Sequence, residues 1–89
     1  MQIPIAHTYA ETLGLNALAF VVASPDALSR FMGLSGIDAT TLRERATQPE
    51  VLAAVLDFLL TNEELLTAFC REQAIEPRQV HLAAARLGS

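Results

Sequence analysis

Two histidines and one cysteine are the side chains best suited to metal binding or catalysis in this 89-residue sequence. A zinc site needs about three or four closely spaced ligands, and a nucleophilic cysteine needs a base within reach. Cys70 and His81 are eleven residues apart, and we expect His7 to lie in an N-terminal segment without a cysteine or carboxylate partner. The sequence therefore predicts no metal centre, no cofactor and no catalytic residue, which argues against an enzyme.

The acidic residues of the sequence also have structural explanations. Glu63 and Glu64 follow Asn62, a predicted N-cap, so they fall in a first helical turn, where the helix dipole favours negative charge. The segment "SPDALSRFMGLSGID" lacks the alternating oxygen ligands, the central glycine and the closing glutamate of an EF-hand calcium loop. The sequence has no glycine-rich phosphate loop either.

Four arginines could contact nucleic acid if two segments of the chain are helix-turn-helix motifs. In residues 27–46 and 65–87, a helix and a turn precede a second helix that would carry outward-facing arginines. These candidate contacts are Arg43, Arg45, Arg78 and Arg86. The chain, however, has ten acidic residues against six arginines and no lysine, a formal net charge of −4. Nucleic-acid-binding domains are typically basic, so this function is kept only as the alternative.

The composition predicts a single domain with a modest hydrophobic core. Apolar residues make up 52% of the chain, which at this length is enough to fold without a disulfide or metal. The single cysteine excludes an internal disulfide and fits a reducing compartment, so we expect a cytoplasmic protein. The apolar stretch at 13–26 is too short to span a bilayer and lacks the positive residues of a signal peptide. We predict that it is a buried helix and that the protein has no membrane partner.

Helix-capping residues divide the chain into six predicted helices, so the predicted fold class is all-α. We expect residues 1–7 to form an extended or mobile N-terminal segment and residues 8–89 to form a single helical domain. Gly33 or Gly36 can end the second helix in a left-handed conformation. The predicted N-caps are Thr8, Ser24, Asp38, Thr47 and Asn62, and Thr8 and Thr47 are each followed three residues later by a glutamate, as in a capping box.

The first half of the sequence aligns with the second under a shift of about 38 residues, a period typical of repeated supersecondary units. "LAFVVASPDALSRF" then falls on "LDFLLTNEELLTAF", Phe20 falls on Phe58, and Phe31 falls on Phe69, which accounts for all four phenylalanines. We therefore predict two pseudo-symmetric three-helix repeats, at about 8–46 and 47–87. They would form a compact domain with the first and fourth helices at its centre. Coincidence between leucine-rich and alanine-rich helices is the alternative.

Positions that are apolar in one repeat and charged in the other need not be buried for folding. Leu34 falls opposite Glu72, and Leu82 falls opposite Glu44. We therefore expect Leu34 and Leu82 to be exposed and take them as the candidate partner surface. The alternative is that each packs locally or has no role, since single exposed leucines are common.

Four stretches, "ALAF", "SPDALSRF", "SGID" and "VLDFLLTNEELL", resemble a family of short alphaproteobacterial proteins catalogued as domain of unknown function 3572. The resemblance covers nearly the whole chain and implies a small cytoplasmic bacterial protein. The family has no assigned activity, so it supplies no functional residues. The combined prediction is a non-catalytic protein–protein interaction module with an unidentified protein partner. Self-association is left open, and a helix-turn-helix nucleic-acid binder is the alternative.

Overall fold

The computed structural model describes residues 6–88, which form six α-helices and no strand. This confirms the predicted all-α class and the number of helices. Of the predicted N-terminal segment at 1–7, residues 1–5 lie outside the described residues. The helices are α1 (His7–Val22), α2 (Pro25–Ser35), α3 (Ala39–Glu44), α4 (Pro49–Leu60), α5 (Glu63–Gln73) and α6 (Pro77–Gly88).

Three of the predicted N-caps hold their helices as expected. The side chains of Ser24, Asp38 and Asn62 each accept a hydrogen bond from the backbone N–H three residues further on, at 3.3, 2.7 and 3.2 Å. Of the two glycines proposed to end α2, Gly36 takes the left-handed conformation, with φ of 74°. Ala74 takes a similar left-handed conformation after α5, with φ of 56°, so the residues that follow these two helices share a backbone conformation.

The predicted N-cap of α1 is wrong by two residues. The helix begins at His7, and its N-cap is Ala6, which has no side-chain oxygen, instead of Thr8. The His7 imidazole lies 3.8 Å from the Glu11 carboxylate, one turn along the helix. His7 therefore belongs to the helix and has a carboxylate neighbour, contrary to expectation. Pairs at this spacing support a first turn that has no side-chain cap.

The predicted N-cap of α4 is wrong as well, in this case by one residue. The N-cap is Gln48, whose side chain makes no capping hydrogen bond, instead of Thr47. Pro49 explains the position of this boundary. Its fixed φ suits the first helical position, and its missing N–H would have no partner there in any helix.

The Asp38 cap should make the stability of α3 depend on pH. The hydrogen bond from the Thr41 backbone N–H is the main cause that holds the pKa of Asp38 below its ordinary value of 3.8. Because the folded-state pKa is the lower one, the stabilisation is complete above the ordinary value and is lost as pH falls through the folded value. NMR titration of the Asp38 carboxyl group should give this lowered pKa. Asp38→Asn keeps a capping oxygen and should remove the acid dependence, whereas an unshifted pKa would contradict the cap.

The core is built by α1, α4 and α6, each packed against the other two. Seven of the twelve residues of α4 are buried, in agreement with its predicted central position. The prediction of α1 and α4 alone was incomplete, because Val80 and Ala83 of α6 are fully buried as well. Length explains the difference: α6 has twelve residues, whereas α3, its counterpart under the 38-residue shift, has six.

Several structural features recur under the 38-residue shift. Both ends of α2 and α5 are related by it, as are the last residues of α1 and α4 and the first residues of α3 and α6. Phe20 packs edge-on against Phe69 with ring centroids 5.4 Å apart, and Phe31 packs edge-on against Phe58 at 5.6 Å. The shift maps the first ring pair onto the second. The pseudo-symmetric relation between the halves stays a prediction.

The helices form a compact globule. The radius of gyration of the Cα atoms is 12.1 Å, close to the value of about 12 Å expected for a folded domain of this length. Within residues 6–88, no single helix has the length and apolar composition needed to cross a membrane. Only α1 and α2 taken together meet that criterion, and they are bent by 115° at their junction.

Candidate partner surface

An apolar groove lies between the C-terminal half of α2 and the side of α4 that faces away from the core. Its volume is about 530 Å³, within the range of roughly 300–1,000 Å³ typical of ligand pockets. Ala54, Asp57 and Thr61 are spaced along one helical face and form the α4 side of the groove. This surface, called the α2–α4 groove, is lined by Phe31, Leu34, Ser35, Ala54, Asp57, Phe58 and Thr61.

Of the two leucines predicted for a partner surface, Leu34 lines the α2–α4 groove and Leu82 does not. Leu34 is 76% exposed, more than any other large apolar side chain among the described residues. Leu82 is half-buried on α6. The structure therefore does not bring the two leucines together in one pocket, and only Leu34 belongs to a recognisable surface.

A second groove, between α1 and α5, is smaller and more polar. Its volume is about 280 Å³. The side-chain amide of Asn16 on α1 donates a hydrogen bond to the side-chain oxygen of Gln73 on α5, at 3.0 Å. This bond ties the two walls together. The surface, called the α1–α5 groove, is lined by Asn16, Ala19, Phe20, Ala23, Glu72 and Gln73.

The two grooves are related by the 38-residue shift. Every residue that lines the α1–α5 groove falls, under this shift, on a residue that lines the α2–α4 groove. Asn16 and Gln73 fall on Ala54 and Ser35, whose side chains are too short to bridge the walls. Equivalent positions are thus closed by a polar contact in one groove and left open and apolar in the other.

Asp57 is the charged side chain of the α2–α4 groove. It is exposed. Within residues 6–88, the ion pairs join His7 to Glu11 and Arg30 to Asp26, and the Asp57 carboxylate has no ion pair or side-chain hydrogen bond. The groove therefore combines an apolar lining with an uncompensated negative charge.

The four arginines considered for nucleic-acid binding are divided between two separate parts of the fold. Arg43 and Arg45 lie at the end of α3, and Arg78 and Arg86 lie on α6. All four are exposed, and α3 and α6 are not among the helix pairs that pack closely. Arg43 also lines a third pocket, of about 360 Å³, whose other residues are apolar and come from α1, α2, α3 and the segment that follows α3.

The residues considered for catalysis or metal binding do not form a constellation in the described part of the chain. Cys70 is a free thiol that is 6% exposed, and burial raises the pKa of this thiol, which disfavours the nucleophilic thiolate. His81 is exposed on α6. Among residues 6–88, no group of three or more histidine, cysteine, aspartate or glutamate side chains could hold a metal ion.

The fold and its grooves define a small, all-helical domain with an apolar groove on its surface. The chain belongs to the family described as Protein of unknown function (DUF3572), whose family model matches residues 7–89. This confirms the family resemblance seen in the sequence. No curated protein and no solved structure matches the chain.

The α4 side of the groove was not predicted as a site. A signal for it existed in the sequence, because Asp57 is the single charged residue in the apolar run at 51–60 and falls opposite Ala19. A charged side chain on a helix otherwise buried must face the one direction in which that helix reaches solvent. The same argument would also have singled out Ala54 and Thr61, one turn away on each side.

Proposed function

We propose that this chain is a non-catalytic protein–protein interaction module and that the partner binds in the α2–α4 groove. The observation that carries the proposal is Leu34, a leucine that is 76% exposed at an apolar groove. Exposed apolar surface that lines a groove is typical of protein-interaction sites. The occupant is a helical segment of a partner protein, which lays apolar side chains between α2 and α4 as in other helix-in-groove complexes.

We also infer that the domain consists of two pseudo-symmetric three-helix repeats, related by the 38-residue shift. Support comes from the matching helix ends and from the two equivalent ring pairs. The left-handed turn residues add to it, because Ala74 adopts a conformation that favours glycine at the position equivalent to Gly36. Matching backbone conformations at equivalent positions support the repeat in addition to the shared apolar composition.

Pseudo-symmetry makes the α1–α5 groove an internal reference for the α2–α4 groove. If folding alone determined which residues line the surface, the two equivalent grooves would carry similar side chains. Instead one carries Glu72 and the Asn16–Gln73 hydrogen bond, whereas the other carries the exposed Leu34 and small side chains at the bridging positions. Folding does not require the open, apolar version, which supports a role for it in binding.

Leu34→Glu should abolish partner binding without unfolding the protein. It places at residue 34 the side chain found at the equivalent position of the α1–α5 groove, and an exposed substitution should change stability by no more than about 0.5 kcal/mol. Loss of an apolar anchor should weaken binding by at least about tenfold. The test is affinity capture on immobilised protein from the cells that produce it, quantified by mass spectrometry against the wild type.

A second variant separates closure of the groove from the loss of one leucine. Ser35→Gln with Ala54→Asn transfers the bridging pair of the α1–α5 groove to the α2–α4 groove and should also abolish capture. Ala19→Asp, which adds a carboxylate to the α1–α5 groove, is the matched control and should capture the partner normally. A protein captured equally by the wild type and both groove variants would exclude the groove as its binding site.

Two further expectations from the sequence stay predictions. The alternative of a helix-turn-helix nucleic-acid binder stays a prediction: α5 and α6 are joined by a short turn, but the four arginines are split between α3 and α6. A cytoplasmic location also stays a prediction, supported by the free, buried Cys70.

A further inference from the structure

We infer that the partner segment carries a lysine or arginine beside its apolar anchor and that this cation pairs with Asp57. The inference rests on the proposed function, because it concerns the occupant of the same α2–α4 groove. Asp57 is an exposed carboxylate among apolar and hydroxyl side chains. Within residues 6–88 it has neither an ion pair nor a side-chain hydrogen bond.

A partner that binds in the groove must compensate for the charge of the Asp57 carboxylate. A partner that covers the groove removes water from this carboxylate, which is unfavourable unless the partner supplies a cation or a hydrogen-bond donor. The nearest cation along α2, Arg30, is held 3.1 Å from Asp26 and does not line the groove. Any cation that pairs with Asp57 must therefore come from the partner, and opposite charges across an interface also favour the correct register.

The same carboxylate argues against a second copy of this chain as the occupant. In a two-fold dimer that used this groove on both copies, two Asp57 carboxylates would enter one interface. The groove contains no cation to separate them, and juxtaposed like charges disfavour association. The formal net charge of −4 acts in the same direction over longer distances.

A helical partner limits how far along its sequence the cation can lie from the apolar anchor. Residues three or four apart on a helix share a face. On this chain, Leu34 approaches from α2, while Asp57 lies on α4 between Ala54 and Thr61. A partner helix that presents both an anchor (leucine, phenylalanine or methionine) and a lysine or arginine on the face that enters the groove carries them three or four residues apart.

Peptide display with paired baits tests this inference. Phage-displayed helical peptides of random sequence are selected on the full-length wild-type protein and, in parallel, on Asp57→Arg. The wild type should select an apolar residue with lysine or arginine three or four positions away, and Asp57→Arg should select glutamate or aspartate there. The same charge on both baits, or no selected peptide on the wild type, would overturn the inference.

Binding of the selected peptide to soluble variants, measured by fluorescence anisotropy, separates the two levels of the proposal. Asp57→Asn keeps the shape of the side chain and should weaken binding about tenfold, the loss expected for one charge-assisted hydrogen bond. Ala19→Asp should not change binding. If the closed Ser35→Gln/Ala54→Asn variant loses binding while Asp57→Asn binds normally, the partner charge is wrong and the groove stands. If the closed variant still binds, the groove itself is wrong.

Light scattering of the free protein tests whether a second copy of this chain occupies the groove. The inference expects a monomer across the accessible concentration range. A dimer that forms with increasing concentration and is lost on Leu34→Glu would overturn the inference in favour of a second copy as the occupant.

Discussion

Alanine in place of Phe31 or Phe69 is expected to lower the free energy of unfolding by about 3–5 kcal/mol in each case. Both side chains are fully buried, and each packs edge-on against a second phenylalanine ring. A domain of this length has a total stability of about 4–13 kcal/mol. Either variant should therefore lose a large share of its stability and unfold at a much lower urea concentration than the wild type, as measured by circular dichroism.

Leucine substitutions keep the protein folded and allow the two ring pairs to be compared. Double-mutant cycles on Phe20 with Phe69 and on Phe31 with Phe58 should each give a coupling energy of about 0.5–1.5 kcal/mol. Pseudo-symmetry requires the two values to be similar. A strong coupling in one pair and none in the other would contradict equivalent roles for the rings, even if both single alanine variants are destabilised.

The sequence was most informative where a local chemical rule sets the structure. A serine before a proline, or an asparagine before two glutamates, satisfies free backbone N–H groups, so Ser24 and Asn62 mark helix starts wherever the helices later pack. Gly36 was predicted as a helix end for a similar reason, since glycine enters the left-handed region without strain. The regular spacing of the phenylalanines also predicted which rings occupy equivalent positions, although not that they pair across the halves.

Sequence reasoning failed where packing over long distances decides. Leu82 falls opposite Glu44, which suggested exposure, but α6 is twice as long as α3 and lies in the core, so Leu82 is half-buried. The hydrogen bond that closes the α1–α5 groove joins Asn16 to Gln73, 57 residues apart. No local sequence pattern predicts a hydrogen bond between residues so far apart. Without knowledge of this bond, the sequence does not reveal that one groove is closed and the other open.

The contrast between the grooves suggests how one supersecondary unit can serve two purposes. In the proposed repeat, each three-helix unit supplies one wall of both grooves, because α2 and α4 line one groove and α1 and α5 line the other. Phenylalanine rings lie at equivalent positions of both grooves, whereas the residues at the rims differ between the grooves. The open, apolar groove has small side chains at residues 35 and 54 and a leucine at residue 34, where the closed, polar groove has Gln73, Asn16 and Glu72.

Gly14→Ala is expected to destabilise the protein by about 1–3 kcal/mol, although alanine is the better helix former. Gly14 lies where α1, α4 and α6 meet. A Cβ atom added there would lie 2.8 Å from the Cβ of Leu52 and 3.3 Å from a terminal methyl carbon of Leu87. The Cβ of Leu52 is fixed to the α4 backbone and cannot rotate away, so α1 and α4 must move apart.

Gly33→Ala provides the matched control, because the substitution is the same but the surroundings differ. Gly33 lies inside α2, and a Cβ atom added there meets nothing within 4 Å. This variant should gain about 0.5–1 kcal/mol from helix propensity alone. Urea unfolding of both variants should thus give shifts of opposite sign.

Since the 38-residue shift places Gly14 on Leu52, their contact is where equivalent positions of the two proposed units meet, beside the proposed pseudo-two-fold axis. A stabilising Gly14→Ala would show that α1 and α4 do not cross this closely.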